Sequence, residues 1–328
     1  MTEAEARRSP QEDLIEDVKR GLVQSPSVRL EFPITSMSME LANVIKLLAP
    51  PQDNHSIALD VGTGCGIHSF LLVRRGFKAV LAIDRNESAI ELACERGNRL
   101  HIDSKSIDRG KVAEALLENS ATEPRILLSA IPLQDLAELV ETKFPLIVFN
   151  PPSYFFVHNV DISSPAASGV YAGNAKQALE VKQSLLYQFF EKIVLPLLAP
   201  DGEVICTWPG LERRTVELDP PAKKRGSPVH PADVLESWFA VTVNCKDKDV
   251  DRFYRHTAVI DDHGLGRSFW HNLEYAQQDP RCYSTLVNPS DWKYGSRSTF
   301  RFGVLRLRRS RSDTDRFEVI CTEGGRID

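Results

Sequence analysis

The sequence lacks the features that mark membrane, secreted and metal-binding proteins. No apolar run in its 328 residues approaches the length that spans a bilayer, and residues 1–5 carry no apolar signal-peptide core. The six cysteines are widely scattered, with no Cys-x-x-Cys pair and no metal-ligand spacing. These absences predict a reduced, soluble, cytoplasmic protein without a metal site and without a membrane partner.

A surplus of positive charge is also missing. The chain has 40 Lys and Arg against 45 Asp and Glu, which gives a net charge of −5. Proteins that follow the phosphate backbone of nucleic acids usually present a basic surface, so this balance makes nucleic acid a less favoured partner. Residues 223–225 and 306–311 form local basic clusters, which are typical of a solvated loop and a strand end.

What is present is a regular alternation of short apolar strands and helical segments. Such alternation predicts parallel βαβ units whose helices cover both faces of the sheet, so the expected fold class is α/β, doubly wound and mostly parallel. The predicted strands are 57–61, 79–83, 125–128, 146–149 and 203–208, and the main predicted helices are 39–48, 69–75, 87–99 and 174–198.

A glycine-rich turn, Asp60-Val61-Gly62-Thr63-Gly64-Cys65-Gly66, follows the first of these strands. Glycines at alternate positions allow a sharp turn and a close approach of a ligand. A dinucleotide-binding turn would place its third glycine at position 67, where this chain has Ile67. Asp60 would also repel a pyrophosphate, so a ligand with a cationic group suits this turn better. A phosphate-binding Walker loop is absent.

Asp84 ends the second strand, twenty residues after Gly64. A carboxylate at this position can accept hydrogen bonds from both hydroxyls of a ribose. The alternative is that Asp84 caps the N-terminus of the helix that follows.

The segment Asn150-Pro151-Pro152-Ser153-Tyr154 directly follows the apolar run 146–149. Pro151 disfavours the helical conformation for Asn150, and neither proline has an N–H. The result is a stiff ledge of carbonyl oxygens and one carboxamide, which can bind a planar group that carries N–H bonds. This ledge indicates chemistry at nitrogen; the alternative is a structural junction between strand and loop.

Together the turn, Asp84 and the ledge resemble the class I S-adenosylmethionine-dependent methyltransferases. More narrowly, they resemble the subgroup with Asn-Pro-Pro-Tyr, which methylates glutamine side chains of release factors, amines of nucleic-acid bases or amino groups of smaller substrates. The resemblance covers roughly residues 30–208 and implies a Rossmann-like, seven-stranded sheet. It also implies S-adenosylmethionine as cofactor and S-adenosylhomocysteine as product. The cofactor-binding residues that it implies are Asp60, Gly62, Thr63, Gly64, Gly66, Asp84, Ile131 and Asn150.

Two positions depart from the pattern of these relatives. Ser153 is inserted before the aromatic residue of the motif. Many relatives have an aspartate after the third strand that binds the adenine amine, whereas this chain has Leu128-Ser129-Ala130-Ile131. We therefore expect a backbone group near Ile131 to contact the adenine.

The catalytic residues that the resemblance implies are Asn150, Pro151, Pro152 and Tyr154. The acceptor nitrogen would donate its hydrogens to the Asn150 carboxamide oxygen and the Pro151 carbonyl. Tyr154 would pack on the planar group of the substrate, unless it is a core aromatic. Two further segments are candidates for closing over the ligands. They are Thr35, for which an ordinary cap or turn is the alternative, and residues 170–173.

The expected organisation has three parts. Residues 1–50 form an N-terminal helical segment, residues 51–208 the cofactor-binding catalytic core, and residues 209–328 a C-terminal part. This last part holds a substrate-specificity insertion and the last strands, predicted at 238–244 and 300–308. The expected function is N-methylation of an amino, amide or guanidino nitrogen in a small molecule or protein side chain. The alternatives are methylation of RNA or DNA bases and a non-catalytic methyltransferase-like binding module; the oligomeric state is left open.

Overall fold

The computed structural model describes residues 36–51, 56–118, 124–151, 154–156, 171–174, 185–209, 229–260 and 298–320. The strands in these ranges are β1 (Ile57–Val61), β2 (Ala79–Asp84), β3 (Asp103–Ser106), β4 (Arg125–Ala130), β5 (Phe144–Phe149), β6 (Tyr154–Phe156), β7 (Tyr171–Asn174), β8 (Leu198–Pro209), β9 (Thr242–Asn244), β10 (His256–Ile260), β11 (Ser298–Arg309) and β12 (Arg316–Val319). The helices are α1 (Ser36–Leu47), α2 (Ile67–Arg74), α3 (Glu87–Arg99), α4 (Val112–Leu117), α5 (Leu136–Leu139), α6 (Leu185–Phe189), α7 (Leu195–Leu197), α8 (Pro231–Trp238) and α9 (Val250–Phe253).

Ten of the described strands form one sheet, in the order β3-β4-β2-β1-β5-β8-β11-β12-β9, with β10 also paired to β11. The strands from β3 to β8 in this order are mutually parallel, and β11 runs antiparallel to β8. The prediction of a doubly wound, mostly parallel α/β sheet is therefore confirmed.

The predicted number of seven strands is wrong. The sheet extends further because β3 adds to one edge and β12 with β9 add to the other. Strand β3 has the sequence Asp-Ser-Lys-Ser, in which only Ser104 is buried. A short polar strand at the edge of a sheet, with three of its four residues exposed, has no apolar pattern by which sequence could predict it.

The central strands are buried on both faces. In β1, Ala58 packs with α1, α2 and α3 on one side, whereas Leu59 packs with α6 and the helical turn after it on the other. This arrangement explains why β1 and β2 are almost continuously apolar rather than alternating. The two apolar layers hold the carboxyl ends of the central strands in fixed relative positions.

The segment between β5 and β8 differs from the single long helix predicted for 174–198. Residues Tyr171–Asn174 form β7, which pairs in parallel with β6 as a separate two-stranded sheet. The described part of the helix covers Leu185 to Leu197 and includes a π-helical turn at Phe190–Val194, whereas residues 175–184 of the prediction lie outside the described residues. Strand β8 begins at Leu198, earlier than predicted, and a bulge with Asp201 at φ 59° shifts its register against β5.

The C-terminal residues complete the same sheet. Strand β11 pairs with β8 from Phe302 opposite Pro209 to Arg308 opposite Glu203. The strand predicted for 300–308 is thus confirmed as part of β11. The strand predicted for 238–244 is only partly right, because Trp238 ends α8 and the strand β9 is confined to Thr242–Asn244. Within the described ranges, no helix has both the length and the hydrophobicity needed to cross a membrane.

Candidate active site

The predicted site residues follow the ends of neighbouring parallel strands. Asp84 is the last residue of β2, Gly62 follows β1 and Asn150 follows β5. The registers of the three strands bring these ends level, with Gly62 between the other two. On the outer sides, Ala130 of β4 lies opposite Asp84, and Thr207 of β8 lies beside Asn150. All five residues therefore share the carboxyl edge of the sheet.

The chain reverses its direction of travel across the sheet between β1 and β5. From β1 it goes to β2 on one side, and it later returns to β5 on the other side of β1. In open α/β sheets, ligands bind outside the carboxyl ends of the strands at this kind of topological switch point. Gly62 and Asn150 flank that point, so the sheet topology marks the crevice above them as the candidate site.

The glycine turn depends on left-handed backbone conformations. Gly62, Gly64 and Gly66 have φ angles of 64°, 52° and 86°, a region that other residues adopt at a cost. At Gly66 a Cβ atom would lie 2.6 Å from the ring of Phe70 in α2 and 3.1 Å from Ala93 in α3. At Gly64, by contrast, the nearest atom within 4 Å is a carbonyl oxygen at 4.0 Å. Gly66 is thus needed for packing, whereas the surroundings of Gly64 are open.

Asp84 connects the end of β2 to the glycine turn. Its Oδ2 accepts the backbone N–H of Gly64 at 3.1 Å, and its Oδ1 accepts the N–H of Asn86 at 3.0 Å. The residue that caps α3 is Asn86, so the alternative reading of Asp84 as the helix cap is wrong. Burial raises the pKa of the Asp84 carboxyl, and the two N–H donors oppose this shift. Each oxygen of an ionised carboxylate can accept a further hydrogen bond, which leaves capacity for two hydroxyl donors.

Asp60 is a fully buried carboxylate beneath the turn. Its Oδ2 accepts hydrogen bonds from Thr63 Oγ1 at 2.8 Å and Ser69 Oγ at 2.6 Å. Its Oδ1 is buried and has no hydrogen-bond partner in the described part of the chain. Burial raises the pKa of this carboxyl, and the nearby His68 and the two hydroxyls partly offset the rise. An unpartnered buried carboxylate oxygen is costly, and the described residues leave this hydrogen-bonding capacity of Asp60 unused.

Asn150 is held by two hydroxyl groups. Its Nδ2 donates to Ser38 Oγ at 2.9 Å, and its Oδ1 accepts from Thr207 Oγ1 at 2.8 Å. Ser38 belongs to α1, and its backbone carbonyl accepts a hydrogen bond from Nε2 of the buried His68 at 3.0 Å. Sequence reasoning missed Ser38, Thr207, His68 and Ser69. Only Thr207 had a usable signal, because it lies near the end of the strand next to Asn150.

The remaining predicted residues are described in part. Ile131 is buried directly after β4, and its N–H donates to the Ser129 carbonyl at 3.0 Å. Pro151 is buried beside Asn150, and the backbone of Tyr154 begins β6. Pro152, Ser153, Thr35 and residue 170 lie outside the described residues, as does the side chain of Tyr154. Among the side chains that the structure describes, no three His, Cys, Asp or Glu residues converge in a way that suits a metal ion.

Comparison with known proteins gives matches among solved structures only. No family model matches the sequence, and no curated protein matches it. An rRNA methylase from Streptococcus thermophilus is 17% identical, with 52% of this chain and 67% of that chain covered and a TM-score of 0.31. A putative caffeoyl-CoA O-methyltransferase from Staphylococcus aureus is 18% identical, with 62% of this chain and 68% of that chain covered and a TM-score of 0.33. The N-methyltransferase NodS from Bradyrhizobium japonicum, in complex with S-adenosylhomocysteine, is 17% identical. The match covers 60% of this chain and 74% of that chain, with a TM-score of 0.32. Any assignment of function must therefore come from the residues of the crevice.

Proposed function

We propose that this chain is a class I S-adenosylmethionine-dependent methyltransferase of the Asn-Pro-Pro-Tyr subgroup that acts on nitrogen. The observation that carries the proposal is the position of Gly62 between Asp84 and Asn150 at the topological switch point of the sheet. In this arrangement, the turn would allow close approach of the cofactor, the Asp84 carboxylate would bind hydroxyl groups, and the Asn150 carboxamide would bind an N–H group, all at one edge of the sheet.

The residues on the β1 and β2 side fit S-adenosylmethionine. Asp84 has acceptor capacity for the two ribose hydroxyls while it holds the turn through Gly64. The unpartnered Oδ1 of Asp60 suits the ammonium group of the methionine part, directly or through a water molecule. Gly62 and Gly64 let the backbone approach the ligand, and a backbone group near Ile131 would contact the adenine. When bound, the cofactor would supply a methyl group on a positively charged sulfur.

The residues on the β5 side suit a nitrogen acceptor. The Asn150 carboxamide oxygen and the Pro151 carbonyl would accept N–H bonds of the acceptor and orient its lone pair. Pro152 and Tyr154 would complete the ledge, with Tyr154 packed on a planar group. Because the transfer is an in-line displacement, the chain contributes mainly by alignment and exclusion of water.

The preferred acceptor is an amino, amide or guanidino nitrogen in a small molecule or a protein side chain. The net charge of −5 supports this choice over a nucleic-acid base, although the ledge itself would suit either. We also propose that residues 51–208 form the cofactor-binding core and that residues 209–299 shape the choice of acceptor.

The test is transfer of a labelled methyl group. The purified protein is incubated with methyl-labelled S-adenosylmethionine and, separately, with a metabolite extract, a protein extract and an RNA extract, and the products are identified by mass spectrometry. We expect label on nitrogen in the metabolite or protein fraction. Label in RNA alone would show that the acceptor is a nucleic acid rather than a small molecule or a protein. Label on oxygen or carbon would contradict the proposal that the methyl group is transferred to nitrogen.

The matched control is Asn150→Ala. This variant should retain binding of S-adenosylmethionine and lose most of the transfer. Undiminished transfer by Asn150→Ala would remove the ledge from the mechanism. A wild-type protein that neither binds the cofactor nor transfers the label would instead be a non-catalytic module.

A further inference from the structure

We infer that Ser38 and Thr207 are positioning residues that hold the plane of the Asn150 carboxamide in a fixed position for methyl transfer. The inference rests on the proposed function, in which the Asn150 oxygen accepts an N–H bond of the methyl acceptor. It assigns a role in that reaction to two residues from distant parts of the chain, 112 and 57 positions away from Asn150.

The two hydroxyls bind opposite ends of the same amide. Thr207 Oγ1 donates to Oδ1 at 2.8 Å, and Ser38 Oγ accepts from Nδ2 at 2.9 Å. Thr207 is 0% exposed and Ser38 is 4% exposed. Water therefore has little access to either hydroxyl, and the loss of one would leave a polar atom of the part-buried Asn150 without its hydroxyl partner.

Hydrogen bonds at both ends restrain the side chain of Asn150. The terminal torsion of an asparagine side chain is broad, so an unrestrained carboxamide samples many orientations of its plane. A hydroxyl can donate or accept, so the two hydroxyls fix the plane of the amide rather than select which end carries the oxygen. Rotation of that plane would break both hydrogen bonds and move the oxygen away from the N–H bond of the methyl acceptor.

The carboxamide keeps enough capacity to bind a substrate as well. An amide oxygen has two acceptor positions, of which Thr207 uses one. The second position remains for an N–H bond of the methyl acceptor. Reaction rates depend steeply on the placement of the reacting groups, since a displacement of about 1 Å can lower the rate roughly 100-fold.

Ser38 also connects the acceptor side of the crevice to the cofactor side. Its carbonyl accepts from His68 in the first turn of α2, and the next residue, Ser69, donates to Asp60. His68 is 3% exposed. Hydrogen bonds on the neighbouring residues His68 and Ser69 of α2 thus link the side of Asp60, proposed to face the cationic part of the cofactor, to Ser38 and Asn150, proposed to face the methyl acceptor.

The experiment compares Thr207→Val, which keeps the shape and loses the hydroxyl, with Thr207→Ser, which keeps the hydroxyl. Ser38→Ala is the corresponding change on the other side. The full-length proteins are assayed for cofactor affinity by calorimetry and for transfer of labelled methyl groups into the active extract at saturating cofactor. We expect Thr207→Val and Ser38→Ala to transfer about 10- to 100-fold more slowly with cofactor affinity within about twofold of wild type. Thr207→Ser should stay within about threefold of the wild-type rate.

Transfer by Thr207→Val at the wild-type rate would overturn the inference. So would a Thr207→Ser variant as slow as Thr207→Val, because that outcome indicates a role in packing rather than hydrogen bonding. An equal loss of cofactor affinity and transfer in Thr207→Val would likewise point to a general disturbance of the crevice.

A second measurement needs neither cofactor nor acceptor. In protein labelled with ¹⁵N-asparagine, the side-chain amide signals of Asn150 are identified by their loss in Asn150→Asp. We expect Thr207→Val to shift these signals and speed their exchange with water, and Thr207→Ser to preserve them. Unchanged signals in Thr207→Val would overturn the inference even if the wild-type protein transfers no methyl group. Failure of the wild type to bind cofactor would count against the proposed function instead.

Discussion

The Oδ2 atom of Asp84 lies 3.1 Å from the backbone nitrogen of Gly64, so the end of β2 holds the glycine turn that follows β1. The other oxygen of Asp84 holds the N–H of Asn86 before α3. One carboxylate therefore fixes two backbone segments at the edge of the crevice. A ligand that reaches both Asp84 and the turn would meet a single preorganised unit rather than two independent loops.

The glycines of the turn differ in what a side chain would meet, which predicts unequal losses of stability. Gly66→Ala combines a left-handed backbone cost of about 1–2 kcal/mol with overpacking of about 1–3 kcal/mol against Phe70 and Ala93. Gly64→Ala, in open surroundings, should show the backbone cost alone. Urea unfolding of the two variants measures the difference, and equal losses would contradict the packing role of Gly66.

Asp60 should destabilise the protein in the absence of a ligand. Its folded-state pKa is raised above the ordinary 3.8, so stability is lost as pH rises through the folded pKa and the carboxyl ionises. Asp60→Asn should therefore unfold at a temperature equal to or above that of the wild type near neutral pH, and this advantage should shrink as pH falls. The same variant should bind S-adenosylmethionine at least about 10-fold more weakly, because it removes the charge that we propose faces the cationic group of the cofactor.

Ser69→Ala is the matched control for Asp60→Asn. It removes the hydroxyl that donates to Asp60 at 2.6 Å and leaves the buried charge in place. This variant should be less stable than wild type by about 1–3 kcal/mol. An Asp60→Asn protein that is less stable than wild type by the same margin at every pH would contradict our account of Asp60.

His230 should make stability depend on pH in the acidic range. It is 2% exposed, and its Nδ1 accepts the N–H of Ala232 at the start of α8. Burial lowers its pKa from the ordinary 6.5, so below that value the unfolded chain binds the proton more strongly than the folded one. Stability from this group is thus present above about pH 6.5 and is lost as pH falls toward the folded pKa.

The variant His230→Asn tests the titration of His230 separately from its role as the N-terminal cap of α8. Asparagine is a favoured helix cap but does not titrate in this range. Between about pH 7.5 and about pH 5.5, the free energy of unfolding of His230→Asn should fall less than that of the wild type. Unfolding curves in urea at the two pH values provide the comparison. An identical fall in both proteins would show that His230 does not contribute to the pH dependence.

The sheet edge was predictable because its residues follow apolar strands that alternate with helices. Parallel strands bring their carboxyl ends to one edge, so Gly62, Asp84 and Asn150 could be expected together before the registers were seen. The outer strands β3, β9 and β12 were not predictable in the same way. They have three or four residues each and little apolar pattern, and their place in the sheet depends on pairing with neighbouring strands.

The partners of the site residues were largely beyond sequence reasoning. Nothing in the spacing indicates that Ser38 meets Asn150 across 112 residues, because that contact depends on how α1 packs against α2 and the sheet. For Asp84, the backbone geometry excludes the alternative of a helix cap, and the role as a ribose carboxylate stays a prediction. Asn86 occupies the cap position, which leaves the Asp84 carboxylate directed at the turn.

The binding of S-adenosylmethionine to Asp84 variants tests the central claim most directly. Calorimetric titration of the wild type should show one site with a dissociation constant on the order of micromolar. Asp84→Ala should weaken binding by about 10- to 100-fold, since a hydrogen bond to a charged group contributes roughly 1.5–3 kcal/mol. Asp103→Ala, the same change on the exposed edge strand β3, should bind like the wild type. Absence of binding by the wild type, or equal binding by the Asp84 and Asp103 variants, would contradict the account.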